Sequence, residues 1–157
     1  MDERRGGGAK RNSGARTMRR TLCVFNRTRE SFLGLRVAPA DTWRMGLKAL
    51  SEKSGVTPDD GVWLIPSRGV HTIGMLCAID LIYLDPANRV LHLVEHLGPF
   101  RISPIKSKCA SILALRSQAI YSSNTRVGDE LLICTPEQIK DCVEGKDTQP
   151  AFLDQRR

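Results

Sequence analysis

Ala78-Ile79-Asp80-Leu81-Ile82-Tyr83-Leu84, Asp85-Pro86-Ala87-Asn88 and Arg89-Val90-Leu91-His92-Leu93-Val94-Glu95-His96-Leu97 form one continuous stretch whose reading decides the fold. The central tetrapeptide has strong reverse-turn chemistry: Asp bonds its own backbone, Pro presets φ, and Asn tolerates left-handed geometry. The flanking runs are rich in Ile, Leu and Val, and they are too short for a core helix. An antiparallel hairpin follows. Alternation along its first strand puts Ala78, Asp80, Ile82 and Leu84 on one face.

The same pattern extends outward. Upstream, Arg20–Arg27 and Phe32–Val37 read as strands joined by the polar turn Asn26–Glu30, and Val62–Pro66 and Val70–Met75 as two more. Downstream, a loop from Gly98 to Lys108 precedes strand-like Cys109–Leu115, then irregular chain, then Glu130–Cys134. Two segments change period. Over about 39–53, Trp43, Leu47 and Leu50 recur at helical spacing, with Gly55 placed to end the helix. Thr135-Pro136-Glu137-Gln138 is a capping box that opens a short helix to about Val143. Seven or eight short strands with one early and one late helix predict a mostly β domain, a small sandwich or closed barrel. The domain should span 20–144, between a basic tail (1–19) and a C-terminal tail (145–157).

Composition narrows the class without naming an activity. The 157 residues are 41% hydrophobic and 26% charged, ordinary for a globular chain. No apolar run reaches the roughly 18 residues of a spanning helix, and no apolar stretch follows the basic start, so no membrane and a cytoplasmic location are expected. The net charge of +7 sits largely in residues 1–20, where seven basic groups face only Asp2 and Glu3. That Gly-rich tail is expected to be disordered, and it allows weak, salt-sensitive contact with nucleic acid. The five cysteines are odd in number, widely spaced and free of any Cys-x-x-Cys pair, which reads as reduced, mostly core thiols.

Several motifs together resemble a prokaryotic family. Val70-His71-Thr72-Ile73-Gly74-Met75-Leu76-Cys77-Ala78-Ile79-Asp80-Leu81-Ile82-Tyr83-Leu84-Asp85 is similar to the signature of domain of unknown function 192. Trp43-Arg44-Met45-Gly46-Leu47, Val62-Trp63-Leu64-Ile65-Pro66 and Val127-Gly128-Asp129-Glu130-Leu131 resemble its flanking segments, in the same order. The chain departs from the family pattern at Ser67, where Cys is frequent, and at Ala78, where Pro is frequent. The resemblance implies a jelly-roll-like β domain. It carries over no catalytic residue.

Three constellations carry possible chemistry. Asp80 is a carboxylate on an apolar face, which must find partners or be protonated. It is expected to accept hydrogen bonds from His71, Thr72 or nearby backbone N–H groups, as a structural network or as a His71–Asp80 proton-transfer pair. Cys77 lies six residues from His71, but its apolar flanks argue against a Cys–His nucleophile. His92-Leu93-Val94-Glu95-His96 matches a metalloprotease H-x-x-E-H pattern. On a strand, however, the two imidazoles stand about 13 Å apart, too far to share zinc. Both histidines are expected on one open side, with Leu91, Leu93 and Leu97 inside. His71, Trp63, His92, His96 and Arg101, with Asp80, are candidate ligand-binding residues around the Gly98–Lys108 loop. The sequence thus reads as a binding or accessory module for a protein partner or small polar ligand, with no metal and no cofactor. A His71–Asp80 hydrolase or transferase is the alternative, and a tail-driven nucleic-acid binder a further one.

Overall fold

The computed structural model describes residues 21–40 and 60–143. Seven strands form a single mixed sheet: β1 (Leu22–Asn26), β2 (Ser31–Ala40), β3 (Asp60–Leu64), β4 (Ile79–Leu84), β5 (Val90–Leu97), β6 (Ser111–Arg116) and β7 (Leu131–Cys134). Their order is β5-β4-β6-β3-β2-β1-β7, and only β2 and β3 run parallel. Two short helices, α1 (Ala119–Ser123) and α2 (Pro136–Val143), complete the described chain.

The sheet curls into a half-barrel. Residues from all seven strands meet in one apolar cluster, including Val24, Val37, Trp63, Ile82, Leu113 and Ile133, which requires a concave face. The edge strands β5 and β7 approach each other at one corner. There Arg89 and Glu130 form an isolated bridge, and Val90 N–H donates to the Asp129 carbonyl at 2.9 Å. Curling the edges together shields backbone groups that a flat sheet would leave unpaired. Gly61 on β3 permits tight packing inside the curl, since a Cβ there would stand 2.5 Å from Leu115 Cδ2.

The convex face carries two further clusters. Val62, Leu81, Tyr83, Ile112 and Ala114 are covered by Val70, Met75 and Cys109 from loops. Cys23, Leu132 and Cys134 are covered by Ile139 of α2. Helix α2 starts with the expected capping box: Gln138 N–H donates to Thr135 Oγ1 (3.4 Å) and Thr135 N–H to Gln138 Oε1 (3.2 Å).

Most strand expectations hold within a residue or two, but three local readings do not. Val70–Met75 is not a strand: only His71 bridges, to Ile102, and turns follow, with Gly74 at φ +86°. Pro39 and Ala40, expected to open the early helix, instead finish β2 beside Trp63 and Leu64 of β3. The remainder of that predicted helix, and both predicted tails, lie outside the described residues. Helix α1 falls where the sequence predicts irregular chain, because its start is held by a residue far away in sequence rather than by a local cap. All seven strands lie in one curled sheet, a half-barrel consistent with the mostly β barrel or sandwich expected from the sequence.

Candidate functional site

Asp80 is 1% exposed, and its carboxylate bonds two backbone amides. Oδ1 accepts from His96 N–H at 2.9 Å and Oδ2 from Ile120 N–H at 3.0 Å. The first amide belongs to an irregularity in β5. Ile79 pairs with Leu97 but Leu81 with Val94, so β5 holds one extra residue opposite Asp80, and His96 takes φ +52°. Such a bulge withdraws an amide from the ladder, and the carboxylate takes it up. The second amide lies in the first turn of α1, where the N-cap Gln118 makes no side-chain cap. Asp80 therefore caps from a distance, and a charged acceptor suits a helix start.

This geometry gives the Asp80 carboxylate backbone partners on β5 and α1. The hydrogen bonds of Asp80 go to His96 and Ile120, while His71 lines a groove formed by other loops. The two irregularities of β5 also change which side chains face inward. Leu93 packs into the concave cluster, whereas Leu91, Val94 and Leu97 pack on the convex one. His92 meets the Tyr83 ring edge-on at 5.3 Å, and His96 Nδ1 lies 2.7 Å from Ser117 Oγ. Each extra residue shifts the two-residue alternation, so Leu91, Leu93 and Leu97 do not share one inner face. Burial, with Lys106 nearby, pushes the His92 imidazole below its ordinary range.

Trp63, a candidate ligand contact by sequence, is a core residue: it is 1% exposed within the concave cluster. Cys77 also differs from its apolar-setting reading, because the turns after His71 leave its side chain exposed. Among the described residues, no group of three or more His, Cys, Asp and Glu side chains is arranged to hold a metal ion.

The groove containing His71 lies between the loop 65–78 and the loop 98–110. It has a volume of about 700 Å³, and Arg68, His71, Ile73, Ile102, Ser103 and Ile105 contribute to its walls. Its two sides are fastened together by short bonds. Val70 N–H donates to Ser103 Oγ (2.8 Å), and Ser103 N–H to the Val70 carbonyl (2.8 Å). The buried Thr72 donates through Oγ1 to the Gly98 carbonyl (2.7 Å) and accepts from Arg101 N–H (2.9 Å). Beneath them, Tyr83 Oη is bonded to Ser103 Oγ (2.6 Å) and to the Pro104 carbonyl (2.7 Å). Burial is the main cause that raises the Tyr83 phenol above its ordinary range, so it stays a neutral support at physiological pH. Arg101 is exposed beside the groove, tied in through its backbone to Thr72. Thr72 and Tyr83, which organise the groove, lie inside the quoted signature. Only their polar character within an apolar run marked them in sequence.

A second buried carboxylate, Asp129, fixes the junction of β1, β2 and β7. Asp129 Oδ2 accepts from Asn26 Nδ2 (2.9 Å), Arg126 N–H (2.9 Å) and Arg29 Nε (3.1 Å). Burial pushes this carboxyl up. The bonds from Asn26, Arg126 and Arg29, with the Arg29 charge, outweigh it and hold the group below its ordinary range. The Gly-Asp that closes the family-like motif thus ties the β1–β2 turn to the start of β7.

Among the described residues, no helix is long and apolar enough to cross a membrane. Two solved structures are similar in fold. One is a protein of unknown function from Novosphingobium aromaticivorans DSM 12444, 15% identical, with TM-score 0.58 over 71% of this chain and 83% of that one. The other, described as a "putative transcription regulator", is from Sinorhizobium meliloti 1021, 16% identical, with TM-score 0.57 over 71% of this chain and 91% of that one. No curated protein matches the chain. A family model described as DUF192, Uncharacterized ACR, matches residues 24–133, from β1 to β7. On that match, which covers most of the chain and every described strand in whole or in part, the protein belongs to the DUF192 family.

Proposed function

We propose that this chain is a binding module whose ligand site is the groove between loops 65–78 and 98–110. The observation that carries the reading is a fixed, open cleft with exposed aliphatic walls: Ile73, Ile102 and Ile105 stand out to solvent on loops pinned by Thr72, Ser103 and Tyr83. Exposed apolar surface on a rigid scaffold is a usual mark of an interaction site. The hydrolase or transferase alternative has less support. It needs His71 and Asp80 to exchange a proton, and both carboxylate oxygens are engaged by backbone amides. Nile red tests the reading, because it is neutral and reports apolar surface without regard to charge. The native protein should enhance its fluorescence, and Ile102→Ser with Ile105→Ser should remove most of that signal at unchanged Tm. Enhancement that survives both substitutions would move the site elsewhere.

A further inference from the structure

The charge on the groove is as one-sided as its apolarity. Loops 65–78 and 98–110 contain Arg68, His71, Arg101, Lys106 and Lys108, and neither contains an Asp or a Glu. The same loops hold five of the nine large apolar side chains exposed among the described residues: Ile73, Leu76, Phe100, Ile102 and Ile105. These five are between 56% and 81% exposed. Arg68 and His71 line the cleft beside Ile73, Ile102 and Ile105. Lys106 N–H bonds the Arg68 carbonyl at 3.0 Å, which places the Lys106 backbone next to the cleft. Cations grouped around aliphatic side chains attract a partner that carries both features in reverse.

Resting on the binding reading above, we infer that the groove takes an acidic, apolar segment of a partner protein, with its aliphatic side chains between Ile73, Ile102 and Ile105 and its carboxylates toward Arg68 and Lys106. The concave shape favours a polypeptide segment over a flat lipid surface. The cleft is open, about 700 Å³ in volume, and its aliphatic walls offer a concavity that a segment of chain can enter. Charge steering makes the interaction salt-sensitive, while the aliphatic contacts persist.

Isothermal titration calorimetry with three synthetic peptides tests this, and proton–nitrogen correlation spectra locate the site. The peptides alternate Glu with Leu, Lys with Leu, and Glu with Ser. The Glu–Leu peptide should bind, with shifts concentrated in residues 65–78 and 98–110. Arg68→Glu with Lys106→Glu should weaken it at least about tenfold, at unchanged Tm. The Lys–Leu and Glu–Ser peptides should bind at least about tenfold more weakly. Equal binding of Lys–Leu and Glu–Leu at the groove would overturn the charge assignment and leave the apolar binding site standing. Failure of Glu–Leu to bind while Nile red still reports the groove overturns the partner class alone; loss of both signals overturns the site as well. Tight binding to phosphatidylcholine–phosphatidylserine vesicles without peptide binding would replace the protein segment by an anionic membrane.

Discussion

The carboxylate of Asp80 on β4 reaches the N–H of Ile120, 40 residues later, at 3.0 Å and so starts a helix that has no cap of its own. Its other oxygen holds the His96 amide released by the β5 irregularity. One buried side chain thereby fixes an edge strand and a helix that contributes Ile120 to the concave core. Asp80→Asn keeps a single acceptor and points an amide donor at one of the two N–H groups. The substitution should cost about 2 kcal/mol in urea denaturation and leave Nile red binding intact in the folded protein. A cost within the ~0.5 kcal/mol typical of surface changes would show that Asp80 is not a structural anchor.

Asp129 sets an acid limit. Its folded-state pKa lies below the ordinary aspartate value, so the folded state binds fewer protons than the unfolded chain. The stability it contributes is complete above the unfolded-state value of about 3.9. It declines as pH falls from there through the folded pKa. Denaturation curves over this range should be steeper in pH for the parent than for Asp129→Asn, and equal slopes would contradict the network.

His92 should titrate below ordinary histidine, with burial the larger cause and Lys106 the smaller. Lys106→Gln should therefore raise its pKa in an NMR titration without restoring the ordinary value. Because the folded pKa is depressed, this group's contribution to stability is present above the unfolded-state value and is lost as pH falls through the window beneath it.

Gly61 is a close-approach position. Gly61→Ala sets a methyl 2.5 Å from Leu115 Cδ2 and 3.2 Å from the Ala114 carbonyl oxygen. Overpacking there should cost about 1–3 kcal/mol. Combining it with Leu115→Ala tests the cause: the combined loss should be smaller than the sum of the two single losses.

Cysteine labelling should discriminate sharply. Iodoacetamide should modify the exposed Cys77 first in native protein, while Cys23, Cys109 and Cys134 stay protected. Burial, with Cys142 and Cys23 nearby, pushes the Cys134 thiol up to about 12. Peptide mapping after a short exposure reads the order, and early loss of Cys134 would contradict it.

The sequence by itself determined most of the strands, the β4–β5 hairpin and the capping box of α2. Alternation, Asp85-Pro86-Ala87-Asn88 and Thr135-x-x-Gln138 act between near neighbours, so local chemistry is enough to place them. It also marked His71, Asp80 and the Gly98–Lys108 loop as notable, but not what they meet. Only the tertiary structure decided that Asp80 bonds amides 16 and 40 residues away, that Trp63 is core, and that Thr72 joins two distant loops into a groove. Those outcomes depend on strand order and on extra residues in β5. A single added residue reverses every side chain beyond it, and periodicity within one strand does not reveal which partner imposes the shift.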